Sequence, residues 1–179
     1  IMMSMRSQGK PVSFVEDCAV RLEDLADYTE RLTDVFRKYD TDGTWYAHAS
    51  VGTLHVRPVL NLKQDADVKA MRAIAEECFE MVRSYHGSHS GEHGDGIVRS
   101  EFHRMMFGDR MVQSFESVKD RFDPQGLLNP NRVVRPPKMD DRELFRYGPD
   151  YAGEPFEAAL DWSGYSGVGG GLQGAVEMC

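Results

Sequence analysis

The chain has 179 residues, 41% of them hydrophobic and 28% charged, which suits one core-forming domain with a tail and excludes a disordered chain. Its formal charge of −8 excludes nucleic acid as the main partner, because phosphate binding needs a basic face. A small acidic ligand is still allowed, since one arginine or a metal ion can hold it.

Residues 11–20, PVSFVEDCAV, read as a strand from their β-branched and aromatic content. Residues 22–39 read as a helix: Leu22, Leu25, Leu32, Phe36 and Tyr39 recur at helical spacing, widened by Ala26 and Val35. Asp40-Thr41-Asp42-Gly43 is a turn. The runs Thr44–Ala49 and Thr53–Leu60 then form a hairpin about Ser50-Val51-Gly52. A second helix, capped by Asp65 or Asp67, runs to about Tyr85 with Val68, Met71, Ile74, Ala75, Cys78, Phe79 and Val82 facing inward. Strand–helix–strand–strand–helix is most of a ferredoxin-like α+β unit, an antiparallel sheet with helices on one face. Residues 86–96, HGSHSGEHGDG, are too glycine-rich for regular structure. A helical pattern resumes over 98–121, broken near Gly108-Asp109. Residues 122–137 are rich in turns and proline, and the polar, then Gly-rich stretch from 138 reads as a linker or tail.

Cys18, Cys78 and Cys179 lack the spacing of a metal site or a disulfide framework, so reduced thiols in a cytoplasmic protein are expected. No apolar run is long enough for a transmembrane helix, and the start is not a signal peptide. A first residue Ile1 and a last residue Cys179 together suggest a fragment.

His48 and His55 flank the hairpin turn symmetrically, so they are expected to oppose each other on one sheet face, close enough to chelate one ion. A bulge at the turn would shift that pairing. The alternative is two ordinary histidines on a half-exposed sheet. Glu92 and His93 lie in a loop whose glycines permit close backbone approach. Two histidines and a carboxylate make a metal set with open positions, and His93 is then a candidate general base. Asp95 is an alternative ligand or a partner behind the ligands. The competing reading is a solvated loop. Arg57 shares the His55 face and can grip a substrate carboxylate with both prongs; Arg99 is a second candidate. His86 and His89 read as surface residues, and His103 as surface or core edge. The GVGGG run at 167–171 lacks the strand and the Lys-Ser/Thr of a phosphate loop and reads as flexible tail.

Three segments resemble one family. HASVGTLH at 48–55, SGEHGDG at 90–96 and FDPQGLLNPNRVV at 122–134 are similar, in order and spacing, to signature segments of FAD-linked oxidases and dehydrogenases of the vanillyl-alcohol oxidase superfamily. Its members include the flavoprotein of glycolate oxidase, D-lactate dehydrogenase and D-2-hydroxyglutarate dehydrogenase. The resemblance implies a divalent metal (Zn, Mn or Fe) on His48, His55 and Glu92, holding the hydroxyl and carboxylate of a 2-hydroxy acid. It implies His93 as the base while hydride passes from Cα to the flavin, with Asn129 near the flavin ring. Residues 1–121 would be the substrate or cap domain, 122–137 the segment returning to an absent FAD domain, and 138–179 the approach to an absent iron–sulfur module. Cys179 would then begin the run that binds a 4Fe–4S cluster, carrying electrons to an acceptor. A cytoplasmic place, or one peripheral to the inner membrane, follows. Two departures stand out: Ser50-Val51-Gly52 replaces a Gly-Asp-Gly, and Arg57 replaces an Asn, which puts the substrate contacts in doubt. Alone, the chain is expected to bind little FAD and to turn nothing over. Two rival readings remain: a metal-dependent hydrolase using the same ligands, and a non-catalytic interaction domain.

Overall fold

The computed structural model describes residues 4–153, 156–165 and 170–178. The sheet has four antiparallel strands: β1 (Lys10–Pro11), β2 (Cys18–Ala19), β3 (Gly43–His48) and β4 (Thr53–Leu60). β4 is the centre. β3 pairs along one side, while β1 and β2 pair with its two ends on the other. The α+β class and the antiparallel sheet are those expected from the order of elements.

The single strand expected over residues 11–20 is instead two short pieces. Pro11 faces Val59 and Cys18 faces Leu54, so seven steps along this edge match five along β4. The two surplus residues form a bulge, with Asp17 in the left-handed region at φ 78°. Val12 and Asp17 still donate backbone hydrogen bonds to Pro58 and Leu54. The bulge turns Glu16 and Asp17 towards the rest of the protein, where both are buried.

Alternation along β4 separates two faces. Leu54, Val56 and Leu60 point into the hydrophobic core. Thr53, His55 and Arg57 alternate with them and carry the other face. The core side is covered by α1 (Leu25–Lys38) and α2 (Asp65–Ser84). α1 buries Tyr28, Leu32, Val35 and Phe36, at helical spacing, but Leu22 lies before it in a 3₁₀ turn and is exposed. α2 buries every apolar residue expected of it and Met81 besides; each such side chain contributes roughly 1.5–3 kcal/mol. Neither Asp65 nor Asp67 caps α2. Gln64 takes the cap position without a side-chain bond, while the Asp67 carboxylate accepts from the Asn61 amide.

The hairpin turn is one 3₁₀ turn, Ala49–Val51, closed by Gly52 at φ 71°. A side chain at Gly52 would meet the Val20 carbonyl oxygen at 1.9 Å, so the hairpin tip and the residue after β2 touch only because glycine stands there. After the Gly/His-rich loop come α3 (His103–Phe107) and α4 (Asp109–Phe122), divided at Gly108, φ 78°. Among the described residues from 138 onward, not all are free tail. A short helix α5 (Gly171–Val176) leads to Glu177, which pairs with Lys63 at 2.9 Å. Most of the GVGGG run, and Cys179, lie outside the described residues. Cys18 and Cys78 are buried free thiols. Among the described residues no helix is long and apolar enough to cross a membrane.

Candidate metal centre and active site

The sheet face away from the helices carries the site. His48 and His55 share this face but are not directly opposed: His48 pairs with Thr53, and Tyr46 pairs with His55. The turn is longer than symmetry about Val51 and Gly52 requires, and the register moves by two residues. An even shift keeps the face, so the rings still meet, edge to face, with centroids 4.9 Å apart. Tyr46 stacks on His55 at 4.5 Å.

The loop 86–96 lies against the edge bulge. Ala19 and Ser88 form an isolated bridge. The Gly91 amide donates to the Asp17 carbonyl at 2.7 Å, and the amides of Glu92 and His93 donate to the Asp17 carboxylate at 2.8–3.0 Å. Burial pushes the Asp17 carboxyl upward, but those amides and the charges of His93 and Arg99 outweigh it and hold the group below its ordinary value. Asp17 thus remains an anion clamped to the loop.

Three imidazoles converge on one carboxylate oxygen. Glu92 Oε1 lies 3.1 Å from His48 Nε2, 2.9 Å from His55 Nε2 and 3.4 Å from His93 Nε2. Behind them, Glu16 Oε1 lies 3.4 Å from His55 Nδ1 and 3.3 Å from His93 Nδ1. The His55 and His93 rings stack at 4.8 Å. His55 is 1% exposed, yet neither of its nitrogens makes a directed hydrogen bond. The carboxylate oxygens are near but off the line of the ring nitrogens. A buried ring aimed beside its neighbours, not at them, fits a shared cation. One donor atom each from Asp17, His55, Glu92 and His93 lies within 4.8 Å of the others, and His48 reaches the group from the exposed side through Glu92. Nitrogen and carboxylate donors of this kind suit Zn, Mn or Fe.

Arg57 shares the His55 face as expected, but its fork closes on Glu16, with Nε 2.8 Å from Oε2 and Nη2 2.6 Å from Oε1. Arg99 is buried and donates to the backbone carbonyls of Glu16 and Gly94. A cavity of about 220 Å³ beside His93 is lined also by Ser13, Glu16 and Arg99, among others, and not by His48 or His55. The larger cavity, about 510 Å³, lies among Lys10, Leu60, Lys63 and Tyr147 and contains none of the imidazoles. Asn129 is exposed, with φ 46°, far along the chain from the cluster. His89 is corrected, being buried rather than at the surface; of the two readings for His103 the core-edge one holds, and both rings meet Asp95.

Sequence reasoning missed Glu16, Asp17 and Tyr46. Two consecutive acids inside the apolar run PVSFVEDCAV were the available signal, because charges in a buried segment need partners.

The sequence profile described as "FAD linked oxidases, C-terminal domain" matches residues 2–133. A D-2-hydroxyglutarate dehydrogenase of Haemophilus influenzae is 34% identical over 140 residues, covering 78% of this chain and 13% of that protein. Glycolate oxidase subunit GlcD of Bacillus subtilis is 25% identical over 131 residues, covering 73% and 28%. A D-lactate dehydrogenase of Archaeoglobus fulgidus is 29% identical over 126 residues, covering 70% and 28%. This chain therefore spans only a minor part of the curated relatives it matches. With most of its length inside the matched region, the chain belongs to the FAD-linked oxidase C-terminal domain family.

Proposed function

We propose that this chain is the substrate- and metal-binding C-terminal part of an FAD-dependent dehydrogenase of D-2-hydroxy acids, of the D-lactate, glycolate or 2-hydroxyglutarate type. His48, His55 and Glu92 are the cation ligands and His93 is the catalytic base. The observation that carries this reading is the convergence of three imidazole Nε2 atoms on Glu92 Oε1 within 3.4 Å. When bound, the cation supplies a Lewis-acid hold on the hydroxyl and carboxylate of the substrate, and FAD supplies the hydride acceptor.

The remaining roles fall to the chain itself. Glu16 Oε1 lies 3.3 Å from Nδ1 of His93, a placement that favours the proton on that nitrogen and leaves Nε2 to take the hydroxyl proton. His93 is 43% exposed at its side chain and lines the 220 Å³ cavity, so a small hydroxy acid can reach it. Asp17 sets the height of the Glu92–His93 peptide above the sheet. Arg57 holds Glu16 and offsets its charge beside the substrate pocket; Arg99 lines the same pocket. The rival hydrolase would use the same ligands but has no use for the 122–134 segment.

We also propose that the FAD-binding part lies elsewhere in the polypeptide and meets residues 122–137, with Asn129 towards the flavin and the segment from 138 leading to an iron–sulfur module. The exposed apolar side chains of Phe122, Leu127 and Leu128 give this face its adhesive character.

Elemental analysis of the purified chain tests the centre. His48→Ala with Glu92→Gln is expected to remove one equivalent of bound Zn, Mn or Fe; an unchanged metal content overturns the ligand assignment. The isolated chain is expected to be colourless and to reduce no dye with D-lactate, and a yellow, active preparation would overturn the division of labour between domains.

A further inference from the structure

A second cluster of donors lies under the loop, separate from the first. His89 sits near its start, Asp95 near its end and His103 at the first residue of α3. The two oxygens of Asp95 face different rings: Oδ2 is 2.8 Å from His103 Nε2, and Oδ1 is 3.4 Å from His89 Nε2. One donor atom from each of the three residues lies within 4.8 Å of the others.

The hydrogen-bond chemistry here is incomplete. His103 Nδ1 lies 3.2 Å from the Val133 carbonyl oxygen, which only accepts, so Nδ1 carries the proton. Nε2 of a neutral His103 then turns a lone pair on the Asp95 carboxylate. That contact needs a positive charge: a second proton on the ring, or a metal ion. His89 separates the two cases. Its side chain is 0% exposed, and neither ring nitrogen makes a well-directed hydrogen bond, although the Arg99 backbone lies beside the ring; Asp95 Oδ1, facing it, accepts no hydrogen bond and has only the Arg99 guanidinium 4.0 Å away. A proton on His103 satisfies neither atom. A cation serves both at once. Leaving such groups buried and unmatched is costly, because each gave up its water on folding.

The distances agree. Donors about 2.0–2.2 Å from one ion, at tetrahedral to octahedral angles, stand roughly 3 Å apart. The Val133 carbonyl behind His103 is the kind of outer partner that fixes a ligating imidazole. Phe79, Phe107 and Phe115 pack around the two rings, which are themselves buried. Asp95, with 19% of its side chain exposed, leaves a route for an ion.

We propose that His89, Asp95 and His103 form a second divalent-cation site, of zinc-like preference, that staples both ends of the catalytic loop to α3. Two imidazoles and one carboxylate favour Zn²⁺ or Co²⁺ over Mg²⁺ or Ca²⁺. The site is structural, and it is independent of the assignment made for His48, His55 and Glu92.

The test titrates the full chain, stripped of metal by a chelator, with Co²⁺ and then Zn²⁺. Two equivalents are expected in the wild type. Asp95→Asn, which keeps the shape of the side chain, and His103→Gln are each expected to weaken one equivalent at least tenfold and spare the other. His48→Ala with Glu92→Gln is expected to leave this site intact. The proposal is overturned if folded Asp95→Asn and His103→Gln chains bind as many equivalents, as tightly, as the wild type. It is also overturned if the wild type binds a single equivalent that disappears with His48→Ala and Glu92→Gln. If both variants unfold, the wild type decides: Co²⁺ at this site must shift the NMR signals of the Val133 amide and the Phe107 ring, and unshifted signals at two equivalents sink the idea. A failure of the first centre alone would show only in the His48 and Glu92 variant, so the two assignments fall separately.

Discussion

Glu16 is the residue on which most of the site turns. It touches His55, His93 and Arg57, and its side chain is 7% exposed. Replacing it with Ala leaves the Arg57 guanidinium, 12% exposed, without its counter-charge. A loss of about 3 kcal/mol is expected, the low end for a charge stranded in a buried setting, and urea denaturation measures it. The same variant, if folded, should bind the cation of the first centre about tenfold more weakly, since an outer carboxylate orients its ligating ring. A wild-type affinity in Glu16→Ala would remove Glu16 from this role. The sequence marked Glu16 only as one of two acids inside an apolar run; which groups it would meet depended on the bulge. The histidines and the Glu92–His93 pair were legible because motif and spacing marked them. His89 was misjudged, and His103 left between surface and core edge, for a different reason. A loop histidine and a helix histidine look solvated until a fold brings a carboxylate between them.

Elements were read best where burial repeats. All the apolar residues expected to face inward from α2 do so, because a two-faced helix advertises its period over 20 residues. The hairpin was read with the wrong register but the right face, since a shift of two preserves the alternation. The edge strand was read as continuous because a bulge leaves no periodic mark. At the end of α4 a local rule operates. Asp123 accepts the amides of Leu127 and Leu128 at 2.9 Å and pairs with Lys119 Nζ at 2.6 Å. The Lys119 ammonium first, and then those two amides, hold its carboxyl below the ordinary value, although burial opposes them. A carboxyl lowered in the folded state contributes stability above its unfolded value, and that contribution is lost as pH falls through the lower folded value. The stability gap between wild type and Asp123→Ala is therefore expected to stay constant from about pH 7 to 5 and to narrow below about pH 4. Chemical denaturation across that range checks it, and a gap that widens in acid contradicts the assignment.

At the scale of the molecule, the apolar residues divide unequally. One set fills the core between sheet and helices. A second, Met111, Val118 and Phe122, lies exposed along α4 and continues into Leu127 and Leu128, with Phe122 79% exposed. Side chains so placed add little to the stability of this chain alone. Phe122→Ser with Leu128→Ser is expected to change its unfolding free energy by less than about 1 kcal/mol, surface changes being small, while reducing self-association in sedimentation. A large drop in stability would mean that the stripe is part of this chain's own core. Composition and charge had marked a globular protein without a nucleic-acid face, but they could not show an apolar seam on its surface. A count of apolar residues is blind to where they lie.

The bulge between Pro11 and Cys18 has a consequence for how this part of the protein can change over generations. Glu16 and Asp17 are neighbours with different tasks, one bracing aromatic rings and the other catching peptide nitrogens. Adding or removing a single residue ahead of them swaps their orientations. Folding could survive such a slip, because β2 would still find β4, yet the wrong acid would stand at each post. Substitutions at Ser13 or Phe14 can be repaired by neighbouring side chains. A change in the number of residues has no such remedy, so this edge is held to a fixed length by chemistry and not by packing.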